Sequence, residues 1–235
     1  MKSITFYPKN VSLKGSSLIS GFHGIGATGY WTVKYLIQKL NLERCCIVDY
    51  SYGAPVSTLN NGKISTPYEI YRNESLSLFK VDVPLQKEQE VEFYREFAES
   101  IIKKGVKEAF LIGGLDSSLK NDDTLYRIAA TSSFKKRGAL KDAKPLEDDH
   151  IIVGPVAILL NYFEILNFPA AAVLVYASSD RIDPRAAATA VQVTSEYYKF
   201  NVDVAPLIKG AETIEAELLK ETSQGEYKPN TNIYT

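Results

Sequence analysis

The sequence has few of the residues that usually build catalytic or metal centres. Among 235 residues it has two histidines and two cysteines, and the cysteines, Cys45 and Cys46, are adjacent. Neighbouring residues of a strand point to opposite faces, so these two thiols are poorly placed to form a disulfide. Without a disulfide framework or a CxxC pair, we expect a reduced, cytoplasmic compartment. No Cys/His cluster offers a metal site, and we expect neither a metal nor a cofactor.

An excess of charge of one sign is also lacking. The chain has 27 basic and 28 acidic residues, a net charge of −1, so no field favours nucleic acid or an anionic membrane. The longest apolar stretch, residues 151–163, is interrupted by Gly154, Pro155 and Asn161 and is too short to cross a bilayer. The first ten residues contain no apolar signal core. These absences predict a soluble protein with no nucleic-acid or membrane partner.

What the sequence does contain is an alternation of strand and helix patterns. The predicted strands are 17–22, 45–50, 76–83, 107–112, 124–131 and 170–176, with a hairpin over 56–71 around Asn61-Gly62. The predicted helices are 27–40, 86–104, 134–140, 155–166, 184–198 after an Asp183 cap, and 207–221. This order predicts one three-layer α/β domain over residues 1–222, with a mostly parallel sheet and helices on both faces.

The remaining residues, 223–235, are predicted to be a flexible tail. Its first part reads SQGEYKPNTN and offers only Tyr227 for burial, too little to offset the entropy of ordering it. The tail ends in Ile233, Tyr234 and Thr235, which is a hydrophobic residue, a tyrosine, any residue and then a carboxylate. Capture of a terminal carboxylate is a recurrent mode of recognition, and a tyrosine adds a large apolar ring with one hydroxyl. An ordinary frayed terminus is the alternative.

A glycine-rich segment between a strand and a helix predicts a nucleotide site or a tight turn. Gly24, Gly26 and Gly29 form a literal G-x-G-x-x-G, and Asp49 ends the next strand about 20 residues on, as in dinucleotide-binding folds. Read as a P-loop, the segment has Ala27 where the phosphate-binding lysine belongs. No second half with catalytic partners follows, so we favour a structural turn. If the turn forms a pocket, the residues concerned are Gly21, His23, Gly24, Gly26, Gly29 and Asp49.

Other candidates for catalysis are weak. His23 and His150 are far apart in sequence, and the chain has no G-x-S-x-G. Glu147, Asp148 and Asp149 precede a predicted strand, and a solvated loop is the favoured interpretation. We therefore predict no catalytic residues and no enzymatic activity.

Six segments, taken together in this order, resemble the archaeal proteasome assembly chaperone family. They are SGFHGIGATG (20–29), VDY (48–50), GVKEAFLIGGL (105–115), IVGPVAILL (152–160), DPRAAA (183–188) and NVDVAPL (201–207). The family is related to the second subunit of the eukaryotic assembly-chaperone heterodimer. The one departure we note is His23, where proline is more often expected.

The resemblance implies a nucleoside-phosphorylase-like α/β fold, homo-oligomers of four or five subunits and no established enzymatic activity. It also implies that a tail of the form hydrophobic-Tyr-X engages the proteasome core without ATP. The expected function is thus ATP-independent binding of the proteasome core particle, as assembly chaperone or activator, through Ile233, Tyr234 and Thr235 in the pockets of its outer ring. The alternative is a nucleotide- or dinucleotide-binding enzyme that uses Gly24, Gly26 and Gly29.

Overall fold

An eight-stranded sheet forms the centre of the molecule. The structure is a computed structural model and describes residues 3–60, 62–140 and 142–213. Its strands are β1 (Ile4–Tyr7), β2 (Ser17–Gly21), β3 (Glu43–Tyr50), β4 (Thr58–Asn60), β5 (Lys63–Ser65), β6 (Tyr68–Arg72), β7 (Leu76–Val81), β8 (Glu108–Asp116), β9 (Tyr126–Ala130) and β10 (Ala170–Ala177). The sheet has the order β1-β3-β6-β7-β2-β8-β10-β9, and β4 pairs with β5 in a separate hairpin.

The sheet is mixed, with a parallel centre and antiparallel sides. The adjacent strands β7, β2, β8 and β10 are mutually parallel. The pairs β1–β3, β3–β6, β6–β7 and β9–β10 are antiparallel. The prediction of a mostly parallel sheet therefore holds for the four central strands and not for the sides. Short connections explain part of the difference, since the few residues between β6 and β7 allow only an antiparallel pair.

Helices cover both faces of the sheet, which confirms the predicted three-layer α/β class. They are α1 (Thr28–Lys39), α2 (Lys87–Lys103), α3 (Ser132–Lys135), α4 (Gly154–Ile165), α5 (Pro184–Tyr198) and α6, which covers 205–213 of the described chain. One layer contains α1 and α5, and the other contains α2 and α4. Asp183 caps α5 as predicted, because its carboxylate accepts a hydrogen bond from the Ala186 N–H at 3.0 Å.

Each layer has its own core against the sheet. Beneath α2, the rings of Phe79 and Phe97 stack with centroids 4.0 Å apart, and Phe93 packs beside them. On the other face, α5 presents small residues to α1, and the Thr32 hydroxyl donates to the Ala187 carbonyl at 3.4 Å. All six residues of β7 are buried, as are the first five of β8. The central strands are thus covered on both sides, which fits their nearly continuous apolar sequence.

Several predicted elements differ from the observed ones. No pattern in the sequence predicts β1, and the helix predicted over 134–140 is the single turn α3. Residues 150–153 form no strand and lead directly into α4, although a strand was expected after Asp149. The hairpin predicted over 56–71 is β4–β5 alone, and β6 joins the main sheet. Part of the predicted last helix lies outside the described residues, as does Asn61 of the predicted turn.

The two cysteines are free, in agreement with the prediction that they do not pair. Both lie on β3, where Cys46 is buried and Cys45 is partly exposed. Burial raises the pKa of the Cys46 thiol to about 12, so this thiol stays protonated at neutral pH. Neither residue has the thiolate character that a reactive cysteine needs.

Candidate functional site

The glycine turn joins β2 to α1 and packs backbone against backbone. A Cβ atom added to Gly21 would lie 2.3 Å from the Gly29 oxygen, and one added to Gly29 would lie 2.4 Å from the Ile112 oxygen. No side chain fits these spaces. The two glycines therefore let the start of α1 touch both β2 and β8.

Gly26 connects the start of α1 with the start of α5. Its φ is +63°, in the left-handed region that favours glycine, and a Cβ there would lie 2.8 Å from the Ala177 Cβ. Its carbonyl accepts a hydrogen bond from the Asp183 N–H at 2.9 Å. Protein atoms thus surround Gly26, and this packing supports the interpretation of the segment as a structural turn.

Asp49 lies far from the glycine turn. It is exposed on β3 and pairs in register with Thr5 of β1. Two strands, β6 and β7, separate β3 from β2, a distance of about 14 Å at the usual spacing between strands. In a dinucleotide-binding fold the strand that carries the ribose-binding acid adjoins the first strand. The structure does not bring Asp49 together with Gly24, Gly26 and Gly29.

His23 and His150 line one cavity, although they are far apart in sequence. The cavity has a volume of about 260 Å³ and lies at the carboxyl ends of β2 and β8. Its buried walls are formed by Phe22, Ile112, Val156 and Leu174. The positions of the two histidines in the sequence do not predict that they share a cavity. The only available signal was the apolar run 151–153, which does not belong to a strand and contains two exposed side chains.

The His23 ring is held at this edge by an aromatic contact. It stacks on Tyr30 with ring centroids 4.0 Å apart. The Tyr30 hydroxyl donates to the Asp82 carboxylate at 3.2 Å and accepts from the Lys34 ammonium at 3.3 Å. Partial burial lowers the pKa of the His23 imidazole, and the nearby Asp82 charge only partly opposes this effect. The neutral imidazole is therefore the main form at neutral pH.

The acidic run at 147–149 differs in part from its prediction as a solvated loop. Asp148 and Asp149 are exposed, as expected. Glu147, in contrast, forms an ion pair with the buried Arg127 at 2.8 Å. Arg127 also pairs with Asp122 at 2.9 Å. Arg127 sits on β9, and hydrogen bonds between Ile128 and residues 144 and 146 add the following segment to the sheet edge. This cluster fastens the loop to the edge of the sheet.

The described residues contain no group of three or more His, Cys, Asp or Glu side chains that could hold a metal ion. Within the same residues no helix is both long and apolar enough to cross a membrane. Ile233, Tyr234 and Thr235 lie outside the described residues, so their predicted role remains a prediction.

The protein is therefore of the three-layer α/β class, with a tightly packed glycine turn after β2 and an apolar cavity at the carboxyl ends of β2 and β8. The chain belongs to the PAC2 family, whose model matches residues 18–222. This match confirms the resemblance inferred from the six sequence segments.

Solved structures with the same fold include two proteins of the archaeon Pyrococcus furiosus. Pyrococcus furiosus PbaA, an archaeal homologue of proteasome-assembly chaperone, superposes with a TM-score of 0.79 at 23% identity, covering 94% of this chain and 97% of PbaA. Pyrococcus furiosus PbaB, an archaeal proteasome activator, gives 0.75 at 17% identity, covering 95% of this chain and all of PbaB. An uncharacterized protein of Methanocaldococcus jannaschii is 24% identical over 227 residues, which are 94% of this chain and 92% of that protein.

Proposed function

We propose that this chain is an ATP-independent binding protein of the proteasome core particle, acting as an assembly chaperone or activator in the cytoplasm. It docks Ile233, Tyr234 and Thr235 into pockets of the outer ring and has no catalytic role. The observation that carries the proposal is this terminal motif on a chain of the PAC2 family. Its fold is shared with PbaB, an archaeal proteasome activator, which supports the same partner.

Each part of the motif supplies a different interaction. A terminal carboxylate at Thr235 can pair with a buried lysine ammonium of the ring. The Tyr234 ring fills an apolar pocket while its hydroxyl finds one hydrogen-bond partner. Ile233 adds apolar area beside it. The proposal takes Thr235 as the last residue of the protein.

The described part of α6 lies beside α5. Ala211 lines a crevice together with Pro184 and Thr189 of α5 and with Leu125, near the carboxyl edge of the sheet. The predicted tail, residues 223–235, has 13 residues and can span at most about 45 Å. The anchor can therefore reach a partner without any change in the globular body.

A nucleotide-binding enzyme is the competing function, and the geometry of the turn favours it less. Gly21, Gly26 and Gly29 face protein atoms at distances that leave no space for a ligand. No lysine or arginine lines the adjacent cavity to balance a phosphate charge. We therefore expect no detectable equilibrium binding of NAD or ATP at physiological concentrations.

The test of the proposal is binding to archaeal proteasome core particles in a buffer without ATP. We expect the Tyr234→Ala variant to lose at least about 30-fold in affinity, since an anchor aromatic contributes about 2 kcal/mol or more. One residue added after Thr235 should have the same effect, because it displaces the carboxylate. The matched control is Tyr227→Ala, which removes the same ring outside the motif and should bind like the parent. A Tyr234→Ala variant that binds as tightly as the parent would refute the docking model.

A further inference from the structure

The apolar cavity lies where the topology of the sheet places a ligand site. The chain leaves β2 toward β3 on one side and later returns to form β8 on the other side of β2. The crevice between the carboxyl ends of two such strands is the usual binding position in open α/β sheets. The cavity of about 260 Å³ opens at this point. It holds the volume of roughly eight or nine water molecules, which is the size of one small ring compound rather than a nucleotide.

The floor of the cavity is apolar. Ile112 is fully buried, and Phe22, Val156 and Leu174 are at most 8% exposed. These side chains come from the residue that follows β2 and from β8, α4 and β10, so elements that are distant in sequence enclose the space. An apolar space enclosed by rigid elements favours an apolar ligand body over water.

The rim carries the polar groups. His23, His150 and Asp116 line the cavity at its partly or fully exposed side, and no lysine or arginine joins them. Within the part of the chain that the structure describes, neither imidazole makes a hydrogen bond to another residue. A neutral imidazole offers one donor and one acceptor. The Asp116 carboxylate opposes anions, and the apolar floor disfavours burial of any charged group, so the site suits an uncharged ligand with a hydroxyl or N–H group.

Exposed apolar side chains border the same opening. Ile151 is 86% exposed, Val153 is 76% exposed and Leu119 is 51% exposed. A molecule bound at this opening would cover part of these three apolar side chains, which would favour its binding.

We propose that this cavity binds a small uncharged molecule with an apolar body and one hydroxyl or N–H group, of the size of a phenol. The apolar ring lies against Ile112, Val156 and Leu174, and the polar tip bonds an imidazole of His23 or His150. This site is separate from the tail and does not depend on the proposed function.

The test is a titration of the full chain with p-cresol and, separately, with toluene, followed by NMR of isoleucine, leucine and valine methyl groups. We expect saturable shifts at Ile112, Val156 and Leu174, with a p-cresol dissociation constant of about 0.1–10 mM, as its size implies. Toluene has the same ring and methyl group without the hydroxyl. It should bind about 3- to 10-fold more weakly, by the net value of one hydrogen bond.

Two kinds of variant distinguish the contribution of the apolar floor to binding from that of the polar rim. Val156→Phe fills the cavity and should weaken p-cresol at least about 10-fold. Its control is Ile165→Phe, an exposed position on the same helix, which should bind like the parent. If Val156→Phe does not fold, the double variant His23→Phe, His150→Phe still decides, because both positions are exposed. It should keep toluene binding and lose the preference for p-cresol.

Three results would overturn the proposal. The first is the absence of saturable shifts up to about 10 mM of either compound. The second is equal affinity for p-cresol and toluene in the parent. The third is p-cresol binding that appears only in a full-length Tyr227→Ala, Tyr234→Ala double variant, which would make a tail tyrosine the occupant of the cavity.

Discussion

Glu69 of β6 is a fully buried carboxylate whose charge is matched by its surroundings. It pairs with Arg44 at 2.5 Å and with Lys80 at 3.2 Å. It also accepts hydrogen bonds from the Tyr71 hydroxyl and the Thr66 N–H. Burial alone would raise the pKa of this carboxyl, but these bonds and charges hold it at about 2.

A Glu69→Gln variant tests this network. The substitution leaves Arg44 without this carboxylate and Lys80 with Asp82 alone, at 2.6 Å, so we expect a loss of about 3 kcal/mol in the free energy of unfolding at pH 7. The folded pKa of about 2 lies below the ordinary value of 4.5, so the parent loses the stabilisation as the pH falls from 4.5 toward 2. Urea unfolding at pH 7 and at acid pH should show that the difference in unfolding free energy between parent and variant becomes smaller at acid pH.

The matched control for this variant is Glu43→Gln, an exposed carboxyl on the neighbouring strand β3. Its unfolding free energy should stay within about 0.5 kcal/mol of the parent at pH 7. An equally stable Glu69→Gln variant would show that the buried charges are solvated in solution and do not form a closed network.

At the scale of the element, the glycine turn offers two glycines with opposite surroundings. A Cβ on Gly29 would meet the Ile112 oxygen at 2.4 Å and the Phe22 nitrogen at 2.6 Å, whereas one on Gly24 would meet no atom within 4 Å. Gly24 also has an extended backbone that any residue adopts. The structure thus separates a packing glycine from an unconstrained one within the same motif.

We expect Gly29→Ala to lower the unfolding free energy by at least about 2 kcal/mol, because backbone atoms cannot move away from the added methyl. Helix propensity alone would predict that alanine at this position of α1 raises the unfolding free energy by about 1 kcal/mol. The sign of the measured change therefore distinguishes close packing from helix propensity. Gly24→Ala should unfold like the parent. Thermal and urea unfolding of the two variants check this, and a stabilised Gly29→Ala would contradict the close packing.

The long periodic elements could be predicted from the sequence. α1, α2, α4 and α5 lie within about two residues of their predicted bounds, because their apolar faces and caps are local signals. β1 could not be predicted in this way, since it is a four-residue edge strand whose stability comes from pairing with β3. The strand order is also non-local, and no pattern within β3 shows that β6 and β7 will separate it from β2.

The same limit applies to the candidate site. The glycine motif and His23 are visible in sequence, and their interpretation as a tight turn agrees with the backbone contacts of Gly21 and Gly29. The spacing of Asp49 suggested a ribose site only under the assumption that consecutive strands are neighbours. His150 enters the cavity because a loop far along the chain returns to the ends of β2 and β8, and this depends on the whole fold.

For the whole molecule we predict a closed symmetric homo-oligomer of four or five subunits. A single three-residue anchor buries little surface, so one tail binds weakly, whereas several tails on one body raise the effective concentration and can gain ~10²-fold or more in avidity. Light scattering of the full chain at micromolar concentration should return a mass of four or five times 26.1 kDa. A monomeric mass would contradict this and would also remove the basis for strong binding through tails.

The position of β2 has a consequence for synthesis on the ribosome. β2 is complete at Gly21, but its two partners are residues 76–81 and 108–116. About half of the chain must therefore be synthesised before β2 can pair with both of its neighbours. Synthesis must reach residue 177 before β8 can pair with both β2 and β10. Until then the apolar centre of the sheet is open to other proteins. A chain with this strand order depends on protection during translation more than one whose neighbouring strands follow each other in sequence.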